Sequence, residues 1–152
     1  MVAEVIPERC PCGSGESYRA CCGRFHEGKP APTPEALMRS RYSAFVLKLA
    51  DYLQSTWHSS TRPQSLGLED SPRWTALQIL SSDHSCNDGT VHFRAIYRVG
   101  DSWGYLEETS RFRLEGGHWY YVSGDTSEGV LKPGRNERCP CGSGKKHKAC
   151  CL

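Results

Sequence analysis

The stretch VHFRAIYRVGDSWGYLEETSRFRLEGGHWYYVS, residues 91–123, alternates apolar and polar side chains along most of its length, the pattern of strands with one buried face. Val91, Phe93, Ala95 and Tyr97 fall on one side, and His92, Arg94 and Arg98 on the other. Leu106, Glu108, Ser110, Phe112 and Leu114 share a face of the next strand. Gly116-Gly117 then marks a hairpin turn into Trp119, Tyr121 and Ser123. Upstream, Trp74–Ser81 reads as one more strand, which makes four. Before it the period changes. Thr33, Pro34 and Glu35 supply a cap hydroxyl, a first-turn proline and an acid at the positive end of a helix. Met38, Tyr42, Phe45 and Leu49 follow as one apolar stripe, and Asp51 is expected to cap a second, shorter helix through Tyr52, Leu53 and Trp57. GRFHEGKPAP, residues 23–32, reads as a linker by its glycine and proline content. Two helices followed by four antiparallel strands predict an α+β domain over residues 33–130.

Outside that domain the chain repeats itself. RCPCGSGESYRACC (9–22) and RCPCGSGKKHKACC (138–151) agree at ten of fourteen positions. Each carries four cysteines in the spacing C-x-C-x8-C-C: Cys10, Cys12, Cys21 and Cys22 in the first, Cys139, Cys141, Cys150 and Cys151 in the second. The copies define small modules over residues 1–24 and 133–152. Pro11 and Pro140 restrict each C-P-C bite, and the Gly-Ser-Gly that follows permits a tight reversal. ESYRA and KKHKA can each make one helical turn before the paired cysteines. Four sulfurs can then converge on one tetrahedral cation, a closed and structural Zn(II) site. Its binding energy becomes folding energy for a segment with almost no apolar core. The competing reading is a disulfide framework or free thiols, which a reducing cytosol and the strain of an adjacent Cys–Cys bridge disfavour. The gaps between these cysteines are not those of ferredoxin clusters. Cys86 stands apart and reads as a small loop or core residue.

Composition sets the class. In 152 residues, 19 Lys and Arg face 17 Asp and Glu, a formal net charge of +2. Charged residues make up 24%, close to the globular average of about 25%, which speaks against both disorder and a nucleic-acid-coating protein. The longest aliphatic or aromatic run, Ala44–Leu47, is four residues, so no membrane-spanning helix is expected. MVAEVIPERC lacks the basic head and apolar stretch of a secretory signal, and the expected location is cytoplasmic.

The second cysteine copy, preceded by GRNE at 134–137, resembles the SEC-C motif that ends the bacterial translocation ATPase SecA. In that family the metal positions are three cysteines and a final His or Cys, matching Cys139, Cys141, Cys150 and Cys151, and Cys10, Cys12, Cys21 and Cys22 in the first copy. Two such motifs flanking LMRSRYSAF (37–45) are similar to the uncharacterised bacterial YchJ family. The resemblance implies two Zn(II) per chain. It also implies a cystatin-like, nuclear-transport-factor-two-like cone, in which helices cover a curved antiparallel sheet. SecA-like modules dock acidic partners, so the implied partner is a protein such as a SecB-like chaperone, or the ribosome. The C-terminal copy keeps the basic character that this needs: Lys132, Arg135, Arg138, Lys145, Lys146 and Lys148 against one acid, Glu137. The N-terminal copy, Glu4 to Arg24, has three charges of each sign. Eight thiolates with two Zn(II) carry −4, taking the formal charge of +2 to −2, so the local strip is the better guide to a partner. The competing reading of the strip is a solvated tail.

A cone can enclose a pocket, which makes a small-molecule site or an isomerase- or hydratase-like activity the alternative function. Arg39, Arg41, Tyr42, His58, Glu107 and Glu108 are its polar candidates. Glu108, flanked on its face by Leu106 and Phe112, could act as a base, or could pair with Arg39 or Arg41 under the helix. His58 is expected to cap a helix C-terminus. No Ser-His-Asp, P-loop or dinucleotide signature is present. RNA stays open as a ligand, but His147 is the one ring in the basic strip, which argues against base stacking and sequence-specific DNA reading.

Overall fold

The computed structural model describes residues 8–69 and 71–151. Four strands, β1 (Arg73–Ser85), β2 (Asp88–Val99), β3 (Ser102–Glu115) and β4 (His118–Leu131), form one curved antiparallel meander in the order β1-β2-β3-β4. The alternation holds. Val91, Phe93 and Ala95 are buried on the face that also carries Glu108, Ser110 and Phe112, while Arg94 pairs in register with Glu107 on the other. Gly116 and Gly117 take φ of 57° and 81°, the left-handed pair that joins two strands without splaying them. Cys86 is exposed at the β1–β2 turn with φ 49°.

Two strand expectations change. β1 runs to Ser85 rather than stopping at Ser81. The register between β3 and β4 slips at Arg111/Phe112, so that Phe112 faces Tyr121 and Arg111 faces Ser123. That bulge moves Ser123 to the face opposite Trp119 and Tyr121.

The first long helix, α2 (Pro34–Leu47), begins as read, with the Thr33 hydroxyl accepting from the Ala36 amide at 3.1 Å. It ends at Lys48 in the left-handed conformation, φ 59°, which puts Leu49 outside it and shortens the apolar stripe to Met38, Tyr42 and Phe45. The shorter helix α3 is Ala50–Ser55. Asp51 lies in its first turn rather than capping it, and Trp57 lies beyond its end in a bridge to Tyr121. The expected linker contains structure as well. A one-turn helix, α1 (Cys22–His26), buries Phe25, and Ala31 is buried behind it.

α2 packs on the sheet with one side and receives the N-terminal cysteine module on another. Cys10, Cys12, Cys21 and Cys22 are continuous with the core of Leu37, Met38, Tyr42, Val91, Phe93 and Phe112. Being covered on two sides explains why the polar Ser40 and Ser43 are fully buried. The C-terminal module packs on the back of the sheet, with Cys139 in a small second core beside Ile96 and Trp103.

Candidate functional site: two tetra-cysteine centres and a cavity

Each module folds back at its Gly-Ser-Gly. In the first, the Gly13 amide donates to the Cys10 carbonyl at 3.2 Å and the Cys10 amide to the Glu16 carbonyl at 2.9 Å. In the second, Gly142 and Cys139 make the same two bonds at 3.2 and 2.8 Å. Gly13, Gly15, Gly142 and Gly144 all have φ between 83° and 86°, a left-handed region that glycine enters without Cβ strain. The Cys21 and Cys150 amides then bond to the Tyr18 and His147 carbonyls, both at 3.1 Å, and swing the paired cysteines towards the first pair.

Within each quartet the sulfurs lie within 4.8 Å of one another. Cys12–Cys21, Cys141–Cys150 and Cys150–Cys151 are 3.6, 3.4 and 3.7 Å apart. Four sulfurs each about 2.3 Å from a shared cation form a tetrahedron with edges of about 3.8 Å, whereas a disulfide needs about 2.05 Å. The spacing fits a metal and not a disulfide, and all nine cysteines are free. These quartets are metal-binding sites.

Neighbouring groups support the sulfurs. The Ser14 hydroxyl donates to Cys21 Sγ at 3.2 Å, and Ser143 stands at the same distance from Cys150 Sγ. Beyond that the surroundings diverge. Cys10 Sγ meets Ser43 Oγ of α2 at 3.5 Å, and Arg39 donates to the Cys12 carbonyl at 3.1 Å. Cys139 Sγ instead meets the buried His147 Nδ1 at 3.4 Å. Hydrogen bonds from Cys12 and Cys22 hold the Cys10 thiol far below its usual value, and the same contacts with Cys10 and Cys12 push Cys22 far above it. A bound dication would take the place of the protons that these sulfurs otherwise share, releasing them to solvent. Exposure separates the two centres most sharply. Cys12 and Cys22 are 0% exposed, while Cys150 and Cys151 lie at the surface. Lys132, Arg135, Arg138, Lys145, Lys146 and Lys148 are all exposed as well.

The second feature is a cavity of about 420 Å³ between α2, the loop residues Leu66, Leu68 and Pro72, and the sheet, lined by Arg41, Tyr42 and Glu108 with Trp57, Trp74 and Phe93 among others. Glu108 is 9% exposed and accepts from Ser110 Oγ. It fills the space over Gly124, where a Cβ would lie 2.5 Å from its carboxyl. The expected ion pair with Arg39 or Arg41 does not form. Arg41 donates instead to the Leu53 carbonyl at 2.8 Å and the Thr56 hydroxyl at 2.7 Å, with its guanidinium over Trp57 and Tyr121. Burial pulls Arg41 down to about 10. Burial first, then the Glu108 carboxyl, raises the Tyr121 hydroxyl above its ordinary value.

Three candidates stand outside the cavity. Arg39 pairs with Glu35 at 3.2 Å and ties α2 to the first module. His58 does not cap a helix: its amide donates to the Tyr121 carbonyl, and its Nε2 lies 2.9 Å from Glu115. Glu107 is on the back of the sheet with His92 and Arg94, which lower its pKa through hydrogen bonds. Sequence reasoning missed Ser43, because a serine in a helix carries no pattern. It also missed the wall that Leu66, Leu68 and Pro72 supply, whose only signal is Leu66 and Leu68 in alternation.

Comparison with known proteins agrees with this geometry. The family described as the YchJ middle NTF2-like domain matches residues 33–124, and the SEC-C motif matches 7–24 and 135–152. A UPF0225 protein of Enterobacter sp. (strain 638) is 44% identical over 96% of this chain and 99% of its own. One from Streptomyces coelicolor is 54% identical over 76% of this chain and 94% of its own. The solution structure of a SEC-C motif containing protein from Rhodopseudomonas palustris superposes with a TM-score of 0.70 at 35% identity, covering 76% of this chain and 96% of that one. A crystal structure of such a protein from Psychrobacter arcticus gives 0.67 at 27% identity, covering 93% and 94%.

Proposed function

The chain belongs to the YchJ family, also designated UPF0225, and on that premise we propose that it is a zinc-binding cytosolic adaptor. Two Zn(II) ions, one per quartet, hold peptide that lacks a core of its own, since four thiolates close the coordination sphere and leave no open position. The N-terminal module stabilises the central domain. The C-terminal module docks an acidic protein surface, a SecB-like chaperone or a ribosomal protein being the partner class that the SecA-like motif suggests. One observation carries this reading: six basic side chains stand exposed from Lys132 to Lys148, five of them on the C-terminal module and Lys132 beside it, and among the described residues none forms an ion pair with a carboxylate. Reversing Lys145, Lys146 and Lys148 together to Glu should abolish capture of purified SecB or of ribosomes by metal-loaded protein. Capture equal to wild type removes the basis for docking.

A specific feature favours a second reading, a small-molecule site in the cone. Glu108 is a buried carboxyl that forms no ion pair among the described residues, and it faces an aromatic cavity. Such groups gather at functional sites. Glu108→Gln preserves shape and should lower the affinity for any ligand found by thermal-shift screening by about tenfold. A ligand bound equally well by the variant does not use this carboxyl.

A further inference from the structure

The repeat lies at the two ends of the sequence, yet the fold brings both copies to one place. β1 is an edge strand of the sheet, and the two Gly-Ser-Gly loops abut it from either side. A Cβ on Gly13 would lie 4.0 Å from the Leu77 carbonyl, and one on Gly142 would lie 2.8 Å from the Thr75 carbonyl. Thr75 Oγ1 donates to the Pro140 carbonyl at 2.7 Å. Between the loops runs a groove of about 810 Å³ whose floor is the β1 segment 75–78 and whose walls are the two C-P-C-G-S-G turns. Arg9 and Arg138, which occupy the same position in the two repeats, line it from opposite modules. Both are exposed, the lining includes no Asp or Glu, its metal-ligand side chains Cys10 and Cys139 are buried, and among the described residues neither arginine pairs with a carboxylate.

We propose that the two metal modules form one composite groove across β1 that binds an extended acidic peptide, held by Arg9 at one wall and Arg138 at the other. This deepens the docking reading above and rests on it, but it moves the contact from the C-terminal strip alone to a site that both repeats build. Charge selects an acidic occupant, because a guanidinium fork matches a carboxylate in bidentate geometry. The floor selects a peptide, since strand backbone offers amide and carbonyl groups to another extended chain. Single-stranded nucleic acid is disfavoured by the absence of any aromatic ring in the lining, which leaves bases nothing to stack on.

Fluorescence anisotropy of metal-loaded full-length protein with a labelled Glu-Val-Glu-Val-Glu-Val peptide tests this. Arg9→Glu and Arg138→Glu should each weaken binding about tenfold, more at low than at high salt. Lys29→Glu, an exposed position outside both the lining and the basic strip, should change it by no more than about twofold. Gln78→Trp, an exposed floor position, should obstruct the groove and abolish binding without touching charge. A metal count of two per chain and an unchanged melting temperature qualify each variant. Peptide bound by Arg9→Glu as by wild type, but lost on reversal of Lys145, Lys146 and Lys148, overturns the groove and leaves docking on the strip standing. Loss in neither set, or no binding by the wild type, overturns both. An oligouridylate that binds more tightly than the peptide, with the same dependence on Arg9, makes the groove a nucleic-acid site and overturns the assignment to peptide.

Discussion

The two cysteine modules share ten of fourteen residues and nearly the same backbone hydrogen bonds, but the fold uses them differently. The N-terminal quartet is buried, continuous with the main core and braced by Ser43 and Arg39 of α2. The C-terminal quartet keeps Cys139 buried and leaves Cys150 and Cys151 at the surface. It is attached to the back of the sheet through a second, smaller core. A motif that secures its own geometry can therefore serve either as part of a core or as an attachment to one. Its surroundings determine which, and the charges follow: the buried copy carries balanced charge, the exposed one five basic residues to one acid within 133–152.

The largest expected effect is at the buried centre. Cys12→Ser or Cys22→Ser removes a fully buried ligand and should destabilise the whole domain by at least about 4 kcal/mol, seen as loss of the cooperative thermal transition. Cys151→Ser should leave that transition close to wild type while metal content falls to one equivalent. Equal destabilisation by the two would mean that the modules are energetically equivalent despite their burial. A chelator sharpens the same contrast. The exposed centre should lose its ion at least about tenfold faster than the buried one, because release requires no opening of the core. Native mass spectrometry during EDTA treatment should pass through a one-metal species, and proteolysis at that point should cut the C-terminal module first.

Much of this was legible in the sequence. The quartets were readable because one cysteine spacing recurs at 9–22 and 138–151 with a Gly-Ser-Gly reversal inside each copy, and the meander because Val91, Phe93 and Ala95 alternate cleanly with His92 and Arg94. The Gly116-Gly117 turn declared itself for the same kind of reason, being a pair that tolerates positive φ. What stayed hidden depends on contacts between distant segments. Nothing local marks Ser40 and Ser43 as buried, because their burial comes from a module whose Cys10 lies 33 residues before Ser43. Phe25 looked like part of a linker because one apolar residue between glycines has no period. Ser123 kept the alternation on paper, but a bulge opposite Arg111 and Phe112 turned it outward. Arg41 and Glu108 could be placed under the helix by pattern. Their failure to pair could not be foreseen, since the partners that Arg41 takes, Leu53 and Thr56, belong to the end of a helix whose boundary was itself misread.

The smallest expected effect concerns how the second module is held. Thr75 sits where the register of β1 slips, and its hydroxyl reaches the Pro140 carbonyl at 2.7 Å and lies 3.2 Å from that of Ile96. A single hydroxyl has one proton to give, and the shorter contact goes to the module. Thr75→Val keeps the volume and removes that bond, which should weaken the attachment by about 1 kcal/mol. Because the core formed by Val91, Phe93 and Phe112 is untouched, the melting temperature should barely move. The effect should appear instead in hydrogen exchange, with the Cys139 and His147 amides exchanging about fivefold faster and the Cys10 amide unchanged. Faster exchange in both modules would mean that β1 couples them mechanically, and the division between core and attachment would then have to be redrawn through Thr75 itself.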